Sequence, residues 1–237
     1  MMLIILFAGG FIAAAISGAA GFGGALLLLP LLTKMVGTAM AVPVLTIAQL
    51  IGNLSRVYFG YKEIEWKPVR LFLIGAIPMS IIGAFSFVSI PKEIVTKLIG
   101  FTVIAFVILK HYQIIKFEGS DRVMVLGGAF VGFLSGLVGS AGPIGAALFV
   151  SLPLSPIAYI ASEAVTAVAM HIVKTVVYQN YLGLGLEAIK LGLYVGAAMI
   201  AGTWAGKKII EMMPKEMFSK VVTLLLAGMG IELIILG

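Results

Sequence analysis

The 237-residue sequence predicts an all-α polytopic membrane protein assembled from two homologous repeats of about 118 residues. Each repeat is expected to hold a glycine-broken first segment, turned back as a re-entrant hairpin, and three transmembrane helices, which makes the repeats inverted relative to one another. Three observations carry this reading. Hydrophobic residues make up 61% of the chain and charged residues 11%, at a mean hydropathy of +1.17, whereas a soluble domain carries about 25% charged residues. Only lipid hydrocarbon can solvate so apolar a surface. Several charge-free stretches reach the roughly 20 residues a helix needs to cross a bilayer core. Finally, the chain matches itself when shifted by about 118 residues. Ser17-Gly18-Ala19-Ala20-Gly21 falls on Ser135-Gly136-Leu137-Val138-Gly139, Gly24 on Gly142, and Asn53 and Arg56 on His171 and Lys174. With a few more residues of offset, Pro91-Lys92-Glu93 and Lys97 fall on Pro214-Lys215-Glu216 and Lys220. Residues 1–118 and 119–237 are therefore the two repeats of one membrane domain.

The elements follow in order. Leu3 to Thr33 is free of charge but interrupted by Gly18, Gly21, Gly23 and Gly24. Glycine costs a helix about 1 kcal/mol each, so this cluster reads as an unwound stretch between two short helices. Irregular backbone at membrane depth belongs against protein or a cavity. Helices are expected over Ala39 to Gly60, Leu71 to Pro91 and Pro91 to Ile115. Val123 to Ser162 is again charge-free and carries Gly136, Gly139 and Gly142-Pro143, the second broken segment. Ile157 to Tyr181, Ala188 to Gly206 and Met217 to Leu236 complete the second repeat. Pro68, Pro91 and Pro214 suit first-turn positions, where a missing N–H does no harm. Met1 to Ala20 lacks a basic n-region and has a counterpart deep in the chain, so it reads as a retained segment rather than a signal peptide.

Lys and Arg set the topology. With Arg56 and Lys174 set aside as helix-interior, 14 of the 16 basic residues remain. Eight full crossings divide them seven against seven, which gives no orientation. Hairpins over 3–32 and 123–155 plus six crossings put Lys62, Lys67, Arg70, Lys110, Lys116, Arg122, Lys207, Lys208, Lys215 and Lys220 opposite Lys34, Lys92, Lys97 and Lys190. This bias favours inverted repeats with both termini outside.

The chain has no cysteine, which excludes disulfides, iron–sulfur clusters and thiolate zinc sites. The net charge of +6 is spread between apolar segments rather than gathered into a patch, so no nucleic-acid partner is expected. His111 and His171 are the two histidines, no HExxH pair occurs, and no nucleophile has an evident base. Ser17 and Ser135 recur, but read as helix-packing serines. An enzyme is not expected, nor a bound metal or cofactor.

The candidate site is an anion pocket between the repeats. Hairpin tips would aim the N-termini of their second half-helices, around Gly21, Phe22, Gly23 and Gly24 and around Gly139, Ser140, Ala141 and Gly142, at one point, and such termini favour anions. The plain alternative is that the glycines only permit close packing. Gln49, Asn53 and Arg56 share one helical face at i, i+4, i+7, with Ala167, His171 and Lys174 as their repeat counterparts. Ionisable residues within a span face a cavity or one another. Arg56 could hold an oxyanion by its fork and Lys174 as a point charge, although Arg56 alone could also snorkel to headgroups. Asn53, Gln49 and His171 offer hydrogen bonds. Glu163 and His171 are candidate coupling groups, with Glu163 also able to pair with Lys174 or cap a helix.

The clusters Gly18-x-x-Gly21-x-Gly23-Gly24, with downstream Pro30, and Gly136-x-x-Gly139-x-x-Gly142-Pro143 resemble the sulfite exporter TauE/SafE family. The resemblance extends over essentially the whole chain, although Ala141 stands where the first repeat has Gly23. It implies a multi-pass permease of the plasma (cell inner) membrane for sulfur-containing anions such as sulfite, sulfoacetate or related organosulfonates. Combined with the residues, it gives the expectation of a secondary transporter of a small sulfur-containing oxyanion working by alternating access. An anion channel and a non-catalytic membrane subunit are the alternatives. The expected partners are that anion and the lipid bilayer.

Overall fold

A computed structural model of the chain describes residues 1–20, 24–111 and 120–210. Its helices are α1 (Met2–Ala20), α2 (Gly24–Val36), α3 (Thr38–Gly60), α4 (Trp66–Ser89), α5 (Lys92–His111), α6 (Asp121–Val138), α7 (Gly142–Val150), α8 (Pro156–Leu182) and α9 (Leu186–Ile210), with a 3₁₀ turn at Tyr61–Glu63. Among the described residues there is no strand. Among the described residues five stretches are long and apolar enough to cross a membrane: Thr38–Glu63, Trp66–Ser89, Asp121–Val138, Ile157–Leu182 and Leu186–Gly206. The chain is a polytopic all-helical membrane protein. The expected helix Met217 to Leu236, Pro214, and Gly21, Phe22 and Gly23 lie outside the described residues.

Local chemistry sets the helix boundaries. The Ser120 hydroxyl accepts from the Val123 N–H at the start of α6, and the Ser155 hydroxyl from the Ala158 N–H at the start of α8, where Pro156 follows. The Pro91 carbonyl accepts from the N–H groups of Ile94 and Val95 and opens α5, while Pro68 sits in the first turn of α4. α4 begins at Trp66, five residues before its charge-free stretch. Its first turn carries Lys67 and Arg70, which are exposed and can reach headgroups while the backbone stays helical. Gly139 ends α6 and Gly183 ends α8, both at positive φ where a side chain would be strained.

Both glycine-broken segments turn back on themselves. A Cβ built on Gly9 would lie 2.4 Å from a Leu31 methyl, whereas residues this far apart in a straight helix are separated by about 33 Å. In the second repeat a Cβ on Gly127 would lie 2.5 Å from a Leu148 methyl. Gly9 and Gly127 are among the residues that align when the chain is shifted by about 118 positions. α3 and α8, which align under the same shift, run antiparallel: Gly60 abuts Ile157 and Ala161, and Arg56 meets Glu163.

The two halves of the chain exchange partners. α6 lies parallel to α4, and Cβ atoms on Gly128, Gly132 and Gly136 would strike the carbonyl oxygens of Phe72, Ala76 and Ser80 at 2.3, 2.3 and 2.5 Å. α1 lies parallel to α9 in the same manner, with Gly202 against the Phe11 carbonyl and Gly206 against that of Ala15. One apolar cluster gathers Leu28, Leu32, Leu45 and Val195, the other Phe72, Val131, Leu148 and Tyr159. α3 packs against α2 and α9, α8 against α4 and α7, and the two pack against each other.

Candidate functional site

The start of α2, the start of α7, and the facing sides of α3 and α8 enclose a cavity of about 40 Å³, enough for a few water molecules at roughly 10–15 Å³ each. Gly24 and Ala25 line it from α2, Ala141 and Gly142 from α7 with Ser140 just before. The first N–H groups of a helix have no acceptor within it, so two positive helix ends open on one small space. A Cβ on Gly142 would meet nothing within 4 Å.

α3 contributes Gln49, Asn53 and Arg56, all buried. Their i, i+4, i+7 spacing keeps them on one face, as the sequence indicates. Asn53 donates from Nδ2 to the Gln49 carbonyl at 2.8 Å and accepts from Arg56 Nη2 on its Oδ1. The amide is thereby fixed and the guanidinium aimed. Arg56 Nη1 lies 3.4 Å from Glu163 Oε2, in an ion pair whose side chains are 7% and 6% exposed. Arg56 therefore does not snorkel, because a carboxylate on the facing helix holds it inside. Glu163 pairs with Arg56 rather than with Lys174.

α8 contributes Glu163, Thr166, Ala167, Met170 and His171 to the wall. Two polar atoms there, Gln49 Nε2 and His171 Nδ1, are buried with no hydrogen-bond partner among the described residues. Buried polar groups are nearly always satisfied, so an unpaired amide and an unpaired imidazole nitrogen on one cavity wall leave places for a polar guest.

Lys174 departs from the expectation. It is fully buried, yet it is not part of the cavity wall. Its ammonium donates to the Ser135 hydroxyl at 2.9 Å, the Gly139 carbonyl at 3.1 Å and the Ser135 carbonyl at 3.3 Å. One turn on, the Tyr178 hydroxyl donates to the Gly136 carbonyl at 2.8 Å. Both side chains cap the carbonyl end of α6, the negative pole of a helix that stops inside the protein. Lys174 thus binds the hairpin instead of facing a shared anion with Arg56, and the Gly139 carbonyl is its acceptor. Ser135, read as a packing serine, both accepts from Lys174 and lines the cavity. Its recurrence as Ser17 was the available signal. Phe72 and Val131 also line the cavity, and nothing in the pattern of their own helices marks them.

Among the described residues no group of histidine or acidic side chains could hold a metal ion. Two helix N-termini, a buried arginine and unpaired hydrogen-bonding groups around a cavity of a multi-pass membrane protein point to a class: a membrane transport protein. The model of the sulfite exporter TauE/SafE family matches residues 6–233. The chain belongs to that family, whose members are membrane transporters of sulfur-containing anions rather than enzymes. No curated protein and no solved structure matches it.

Proposed function

We propose that the protein is a secondary transporter of a small sulfur-containing oxyanion, sulfite or an organosulfonate such as sulfoacetate, in the cell inner membrane. The anion binds in the cavity, where the helix ends at Gly24 and Gly142 supply dipoles and Arg56 supplies charge. Asn53, Gln49 and His171 orient it, with the backbone around Gly21, Phe22, Gly23, Ser140 and Ala141 as further donors. Lys174 contributes its positive charge from behind the hairpin. The observation that carries this reading is the meeting of both half-helix N-termini with Arg56 around one space.

The two halves act as inverted repeats, residues 1–118 and 119–237, that rock about the cavity in alternating access. The antiparallel run of α3 against α8 supports inversion, because four crossings in each repeat would leave these corresponding helices parallel. The small volume of the cavity favours a carrier over a channel.

A thermal-shift screen of the purified protein should show stabilisation by sulfite or sulfonates, and less by phosphate, carboxylates or chloride. Arg56→Ala should weaken that binding roughly 30- to 150-fold, the range for a charged hydrogen bond of about 2–3 kcal/mol. Gln49→Leu should weaken it by about fivefold at little cost in stability, since no protein partner is lost. Failure of every sulfur oxyanion to stabilise the protein would remove the proposal. Non-saturating currents in a planar bilayer would turn it into a channel.

A further inference from the structure

The anion site already holds an anion that belongs to the protein. Glu163 Oε2 faces Arg56 Nη1 at 3.4 Å inside the wall of the cavity. Its other oxygen lies 3.9 Å from where a Cβ on Gly145 would be, beside the first turn of α7. The carboxylate therefore stands where an incoming oxyanion would stand, opposite the guanidinium and near a positive helix end. Two anions cannot share one guanidinium in so enclosed a space without strong, poorly screened repulsion.

Among the described residues, few charged groups face the displaced carboxylate. From α3 it is faced by Arg56, and on its own helix the ionisable neighbours are Tyr159, His171 and Lys174. The Lys174 ammonium is directed to Ser135 and Gly139 on α6. α6 and α7 bring the hydroxyls of Ser135 and Ser140 to the cavity, and α4 brings the ring of Phe72. The charged groups of the 3₁₀ turn and of the start of α4, Lys62, Glu63, Lys67 and Arg70, are exposed. An unpaired carboxylate left among these groups is costly, and the inexpensive way to remove its charge is a proton.

We infer that Glu163 is the proton-carrying group of the transport site: the entering anion takes Arg56 from Glu163, and the released carboxylate accepts one proton, so anion and proton bind together. This rests on the anion-site reading above and adds the second cargo to it. A hydronium ion at the cavity gives up one O–H bond and becomes water as an O–H bond forms on the Glu163 carboxyl, and the Arg56 to Glu163 ion pair is exchanged for one between Arg56 and the anion. On the far side the anion leaves, Arg56 recaptures the carboxylate, and the proton departs. A monoanion is then carried without net charge and is driven by a pH difference.

The test uses the full chain and two probes, methanesulfonate, which keeps a single charge across the accessible pH range, and sulfite. Calorimetry in buffers of different protonation enthalpy counts the protons. With methanesulfonate the wild type should take up about one proton per anion, and affinity should tighten by up to about tenfold for each unit that the pH falls; sulfite, which exchanges a proton of its own near neutral pH, tests binding only. Glu163→Gln should still bind, with no proton uptake and with an affinity that no longer follows pH. Glu163→Asp, which keeps the carboxyl, should retain the uptake and guards against misfolding of the amide variant. Anion binding to the wild type without proton uptake would overturn this inference and leave the anion site standing. Proton uptake with methanesulfonate that persists in Glu163→Gln would do the same. Absence of binding by either probe would overturn both readings, leaving Glu163 as a structural partner of Arg56.

Discussion

Lys174 and Arg56 align when the chain is shifted by about 118 residues, are both basic, and do different work. Lys174 spends its protons on Ser135 and Gly139, while Arg56 faces the cavity with Asn53 and Glu163. Lys174→Met should therefore act mainly on stability, lowering it by about 3 kcal/mol or more as a charged donor is lost and buried acceptors are left unpaired. Tyr178→Phe, which removes a single neutral hydrogen bond, should cost about 1 kcal/mol. Thermal unfolding in detergent checks both, and equal losses would contradict the distinction between ammonium and phenol. Both buried cations were legible in the sequence from charge within a span and from repeat spacing. Their separate roles were not, because spacing fixes the face of a helix but not the acceptor that waits there. For Lys174 the acceptor is the end of α6, which tertiary packing alone brings within reach.

Among the helices, glycine serves two purposes that sequence cannot tell apart. Gly132 lets α6 touch the backbone of α4, and a Cβ there would sit 2.3 Å from the Ala76 carbonyl oxygen, which has no freedom to move aside. Gly142 begins α7 at the cavity, where a Cβ would meet nothing. Gly132→Ala should thus push the helices apart and cost several kcal/mol, in the range of severe overpacking. Gly142→Ala should fold normally and, by filling part of a cavity of about 40 Å³, weaken anion binding by about tenfold or more. Unfolding temperature and anion-induced stabilisation, measured together, separate these effects. The broken segments themselves were readable from the density of Gly18, Gly21, Gly23 and Gly24 and of Gly136, Gly139 and Gly142. The glycine contacts of α4 with α6 were not, since apolar periodicity says that a face is buried without naming what buries it.

At the scale of the molecule, the paired halves make a topological prediction. The link between α2 and α3 and the link between α7 and α8 correspond in sequence, yet in an inverted arrangement they emerge on opposite faces of the membrane. Ala39 and Pro153 are exposed at these places, and the absence of native cysteine gives a clean background for labels. Ala39→Cys and Pro153→Cys should react with an impermeant thiol reagent from opposite sides, whereas labelling of both from one side would restore the scheme of eight crossings. The charge count pointed the same way, and Lys67 with Asp121, 3.1 Å apart, ties the start of α4 to the start of α6 on one face. What no charge count contains is the exchange of partners, and that exchange matters during synthesis. α6 leaves the ribosome after α4, so its resting place is already made. α1 leaves first, and α9 follows only about 170 residues later, a delay of roughly 10 to 30 s at about 5–20 residues per second. A fold that is balanced in space is lopsided in time: throughout that interval the opening hairpin must be kept in order by lipid, by α2 and α3, or by the insertion machinery.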